Sequence, residues 1–255
     1  MSSLLAAAAS LLVFCAPGYP GTSGDAQPLV DEFATTLAQA AGWPAGALTA
    51  VYDANESSDL TRLAAPTASL AFVPYPFFVQ HGAQLHLLPL VQADVPPAGV
   101  QQRWTLVAGK GHAPGPGGLA GLSVISTAGY APDFVRAVLH NVGALPPTAT
   151  ISATAQVLSA LRRTASGEPL AVLLDQEQTG ALASLPFAAD LQTVGTSAPV
   201  PVALIVVVAG RIPKDGTLRL QQALLHLAGT PQGAATLGRL RLSGFVLPRL
   251  PAPGS

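Results

Sequence analysis

The sequence predicts an α/β protein of two lobes, each a mostly parallel sheet flanked by helices. Three observations carry that reading. Short aliphatic runs alternate with amphipathic helical stretches along the whole chain. The runs are apolar at successive positions, as strands covered on both faces must be. The alternation also occurs twice, on either side of a Gly/Pro-rich stretch at residues 109–118. With 255 residues the chain can bury two cores.

The elements follow in order. Residues 11–16 are the first strand-like run, closed by Pro17-Gly18. A helix is predicted over 28–41, with Leu29, Phe33, Leu37 and Ala41 on one face and Gly42 as the stop. Strand-like runs come next at 48–52, 69–75, 86–91 and 103–108. Beyond the Gly/Pro-rich stretch, 122–126 reads as a strand and 132–142 as a helix with Pro132 in its first turn. Ile151 lies in a short strand, 155–164 is helical, and 170–174 is a purely aliphatic strand. Strands at 192–194 and 200–208 precede helices at 218–227 and 232–240. Residues 11–100 and 200–255 are therefore expected to form the first lobe, with closing C-terminal helices, and 101–199 the second. Residues 1–10 are apolar without a positive flank and read as a possible remnant of a signal peptide.

Composition narrows the function. Charged residues make up only 10% of the chain, and Lys+Arg 12 against Asp+Glu 13 leaves a formal net charge of -1. Nucleic acid is not expected as a partner, because the longest basic run is Arg162-Arg163. The single cysteine, Cys15, allows no intrachain disulfide and no cysteine-based metal site, and its apolar run reads as buried. The bulky Phe14 before it argues against lipidation. His81, His86, His112, His140 and His226 show no tight metal spacing. Neither a metal nor a cofactor is expected. Ser126, His140 and Asp175 could be written as a hydrolase triad, but the Gly-x-Ser-x-Gly elbow is missing, so no enzyme is expected.

Several segments carry a resemblance. Leu119 to Tyr130 reads LAGLSVISTAGY, Val157 to Asp175 contains SGEPLAVLLD, Ser197 to Pro201 reads SAPVP, and Leu218 to Phe245 forms two closing helices and a Gly-Phe turn. In this order they resemble the phosphonate-type branch of the type 2 periplasmic binding proteins, which serve bacterial ABC uptake systems. The resemblance spans residues 10–248. Two departures stand out. The serine-rich ligand loop is Ser126-Thr127-Ala128-Gly129, with Ala in place of one hydroxyl, and Leu170 stands where the family has Asp. The resemblance implies ligand capture in a cleft between the lobes, an ABC-transporter permease as membrane partner, a periplasmic or cell-envelope location and a monomer. An alternative of the same fold is a sensor or carrier module that presents an apolar or lipid-like ligand to another protein.

The candidate site residues follow from placement. The loop 18–24 offers free backbone between the first strand and first helix, with Tyr19, Thr22 and Ser23 as contacts. It lacks the Gly-Lys-Ser/Thr ending of a phosphate-binding P-loop. Ser126, Thr127, Gly129 and Tyr130 hold the corresponding place in the second lobe. Tyr75 ends a first-lobe strand, and Asp175 follows the aliphatic strand, either at the ligand or as a helix cap. Asp25, Asp133 and Asp175 stand near these loops, and the nearest cation is Arg136. That balance predicts a neutral, zwitterionic or weakly charged ligand rather than a dianion.

Overall fold

The structure is a computed structural model that describes residues 10–18, 23–110, 119, 121–140, 142 and 145–251. In chain order the elements are β1 (Ser10–Cys15), α1 (Ser23–Ala40), β2 (Leu48–Asp53), α2 (Glu56–Ala64), β3 (Ala68–Pro74), α3 (Tyr75–His81) and β4 (Leu87–Asp94). Then come β5 (Gln101–Gln102), β6 (Thr105–Gly109), β7 (Ser123–Ser126), α4 (Pro132–Leu139), β8 (Ile151–Ala153), α5 (Val157–Ala165), β9 (Leu170–Leu174) and α6 (Gln176–Ala181). The last are β10 (Leu191–Thr196), β11 (Val200–Pro201), β12 (Ala203–Val208), α7 (Lys214–His226), α8 (Pro231–Arg239) and β13 (Gly244–Val246).

The chain divides into two compact units. The first holds residues 23–100 with β1 and Val202–Arg249, and the second holds Gln101–Pro201. The first unit's sheet has the order β13-β4-β12-β3-β1-β2. In it β1, β2, β3 and β4 run one way, and β12 and β13 the other. The second unit's sheet has the order β10-β6-β9-β7-β8, and only β6 runs against the rest. The α/β class with mostly parallel strand directions is thus the architecture of both units. A small ribbon pairs β5 with β11.

The aliphatic runs form strands because both faces are covered. β9 and β12 are buried along their whole length. The first unit's main core packs Leu12, Phe14, Val30, Phe33 and Leu37 against Leu224, Leu227 and Phe245. Phe14 meets Phe33 edge-on at 5.5 Å and stacks on Phe72 at 5.3 Å. Burying each such side chain stabilises by about 1.5–3 kcal/mol. The second core is smaller and joins Val107, Leu161, Val172 and Leu174.

Side chains tie the elements' ends. Asn55 caps α2 by accepting from the N–H groups of Ser57 and Ser58. The Arg211 guanidinium donates to the carbonyls of Leu63, Ala64, Ala65 and Ala68, gathering the free end of α2. Gln27 in α1 reaches the outer strand β2, where its amide donates to Ala50 O at 3.0 Å and accepts from Tyr52 N at 3.1 Å.

Several elements differ from the sequence reading. Helices α2 and α3 fill stretches where none was expected. In α2 only Asp59 and Leu63 are buried, so the sequence shows no apolar stripe. Tyr75 opens α3 instead of ending a strand, because Pro76 suits a first helical turn. The run 200–208 is split, its first two residues pairing with β5 and the rest entering the main sheet.

Candidate functional site

In the second unit β7 and β9 are parallel neighbours, with Ser126 level with Leu173. Both therefore deliver their following loops to the same sheet end, where open α/β sheets hold ligands. The loop after β7 is braced from beneath. Ser126 is 0% exposed; its hydroxyl donates to Leu173 O at 2.8 Å and accepts from Ala128 N at 3.1 Å. Gly129 N donates to Ser126 O at 3.1 Å. Gly129 also rides against β8: a Cβ there would stand 2.1 Å from Ser152 O. Ser126 and Gly129 thus fix the loop's shape. The hydroxyl of Thr127, itself buried, makes no hydrogen bond among the described residues. Tyr130 is half-buried, one turn of loop before α4.

Asp175 sits after β9 and caps α6. It accepts from Gln178 N at 2.8 Å, and its own N–H donates to Gln178 Oε1 at 3.2 Å. Burial pushes its carboxyl above the ordinary range, with the Gln178 N–H pulling the other way. The cap alternative raised by the sequence is therefore present in the fold. Arg136, the cation nearest the loop in sequence, spends its guanidinium on the carbonyls of Pro146, Pro147 and Ala149.

Trp104 escaped the sequence reading, which placed it inside a strand. It precedes β6, and Thr105 pairs with Leu174, so Trp104 lies at the sheet end that Asp175 occupies. It is 1% exposed and meets Phe134 of α4 edge-on at 5.2 Å. Its backbone N–H donates to the Ser197 hydroxyl at 3.0 Å, while its indole N–H has no partner among the described residues. A large aromatic near the start of a strand-like run was the available signal.

In the first unit Tyr75 is buried at the start of α3 and stacks on Phe78 with centroids 6.2 Å apart. Burial pushes its phenol up. Ser23 opens α1, and Tyr19 and Thr22 lie outside the described residues. Near these strand ends two buried carboxyls behave differently. Burial pushes Asp53 up, but hydrogen bonds from Ser58 and Arg62 outweigh it and hold the carboxyl below its usual range. The Arg62 contact is 2.8 Å. Asp59 is 0% exposed and neither oxygen has a well-formed hydrogen bond among the described residues. Burial pushes it up to about 8, opposed by the neighbouring Cys15 thiol and reinforced by Asp53.

The Ser126 hydroxyl is directed to Leu173, His140 stands at the C-terminal end of α4, and Asp175 caps α6. An active-serine phosphonofluoridate probe is expected to leave Ser126 unlabelled, and stoichiometric labelling seen by mass spectrometry would refute this. Among the described residues no group of three or more His, Cys, Asp or Glu could hold a metal ion, and no helix is long and apolar enough to cross a membrane.

Solved structures share this fold. XAC2383 from Xanthomonas citri bound to ATP superposes with a TM-score of 0.68 at 16% identity, covering 95% of this chain and 92% of its own. PhnD1 from Prochlorococcus marinus in complex with methylphosphonate gives 0.62 at 15% identity, over 94% and 93%. A binding protein component of an ABC phosphonate transporter from Pseudomonas aeruginosa gives 0.58 at 13% identity, over 93% and 81%. The chain therefore has the periplasmic-binding-protein fold. No protein-family model matches the chain, and no curated protein matches it in sequence.

Proposed function

We propose that this chain is a non-catalytic solute-binding protein of an ABC uptake system. It works in the periplasm or cell envelope as a monomer, and a membrane permease receives its ligand. One observation carries the reading most: the loop after β7 is braced by Ser126 and Gly129, and the Thr127 hydroxyl has no hydrogen-bond partner among the described residues. A binding loop needs that combination, since a donor already committed inside the fold cannot be offered to a ligand. Tyr130 supplies ring surface beside it. With Arg136 engaged by three carbonyls and Asp175 nearby, a strongly charged anion would lack a cation in this loop. A neutral, zwitterionic or weakly charged ligand fits better.

Calorimetric titration with a panel that includes methylphosphonate, inorganic phosphate, ATP and neutral and zwitterionic metabolites tests this. Thr127→Ala should weaken a neutral or weakly charged ligand by about 2–12-fold. A dianion should lose about 10–150-fold. Tyr130→Ala should cost more than Tyr130→Phe if the ring makes the contact. Wild-type affinity in both Thr127→Ala and Tyr130→Ala would remove this loop from the site.

A further inference from the structure

The first unit holds a cavity of about 180 Å³ that the loop after β7 does not explain. Ala26 and Leu29, from the beginning of α1, form one wall. Phe14, Tyr52 and Phe72, from three adjacent strands, form another. Every wall residue thus sits on regular structure or packs directly against it, which favours a preformed space over a transient gap.

Two features define what the space accepts. Among the described residues no Asp, Glu, Lys or Arg lines it. Its lining residues with polar side-chain atoms are Cys15, whose thiol is hydrogen-bonded to Asp59, and Tyr52, and burial pushes both groups up. The aromatic wall is also flat: Phe14 and Phe72 lie 21° from parallel with centroids 5.3 Å apart. A largely apolar space of this kind offers water few polar partners. Its lining atoms then lack dispersion contacts on one side, and an apolar guest restores them. Apolar cavities of about 150 Å³ are large enough to take up benzene.

We propose that this cavity is a binding site for a small neutral apolar molecule the size of one aromatic ring. It is independent of the Thr127 loop, and the two sites can be tested separately.

Toluene is the probe. At roughly tenfold excess over Kd it should raise the thermal midpoint by about 3–6 °C. Ala26→Leu fills the cavity and should abolish that rise. The chain has one cysteine, so its reaction with methyl methanethiosulfonate reports on Cys15 alone. The same toluene excess should slow that reaction about tenfold in the wild-type chain, a readout that does not depend on the variant folding. Methylphosphonate, which has no ring, should leave the Cys15 rate unchanged. An unshifted wild-type midpoint, an equal shift in folded Ala26→Leu, or an unprotected Cys15 would each overturn the proposal.

Discussion

Asp59→Leu should make the chain more stable than wild type at pH 8, with a much smaller difference near pH 4. In the unfolded chain this carboxyl ionises near its ordinary value of 3.8, but in the fold burial holds it protonated up to about 8. Between those values unfolding releases a proton, so the group's contribution is fully present below the lower value and is lost as pH rises through the upper one. The slope is about 1.4 kcal/mol per pH unit, levelling off beyond about pH 8. Asp175, also raised by burial, pulls the same way but cancels when the two chains are compared. Asp59→Asn keeps the shape, removes the charge and should flatten the curve likewise. Urea unfolding of the three chains from pH 4 to pH 9 measures the difference. A constant difference across that range would mean that Asp59 ionises normally in the fold.

Gly129→Ala should be the most damaging single-methyl change in the second unit. The new carbon would stand 2.1 Å from Ser152 O, 2.3 Å from its carbonyl carbon and 2.5 Å from Ala153 N. All three are backbone atoms of β8, and no side-chain rotation relieves the clash. Either the loop lifts from β8 or β8 leaves β7. Overpacking of this kind costs about 1–3 kcal/mol, and backbone obstacles push it to the upper end or beyond. Because the loop itself moves, ligand affinity should fall further than in Thr127→Ala. Thermal denaturation and calorimetry together check this, and a wild-type midpoint with wild-type affinity would show that the close approach does not constrain the loop.

Much of the fold could be read from the chain because its strands are unusually plain. The run 170–174 is wholly aliphatic and is a strand with the predicted bounds. Strand direction was not readable: nothing in the residues of β6 marks it as running against its neighbours, since direction depends on how distant segments return. α2 was hidden because its buried face consists of one leucine and one aspartate. At the site, the sequence pointed to Ser126 and Thr127 together. Ser126 ends β7 and its hydroxyl is absorbed by Leu173, whereas Thr127 begins the loop that follows. Arg136 was identified as the nearest cation, but its three carbonyl partners lie 10 to 13 residues further along and carry no side-chain signal.

Gln27 has a consequence beyond holding α1 to the sheet. Among the described residues β2 pairs on one side only, with β1, and its other side would expose a row of unmatched amide and carbonyl groups. Such a row is a template on which a stray extended segment can add itself, the first step of aggregation. The Gln27 amide meets Ala50 O and Tyr52 N as a passing peptide group would. One side chain from within the molecule therefore occupies the place where a foreign strand would begin to grow.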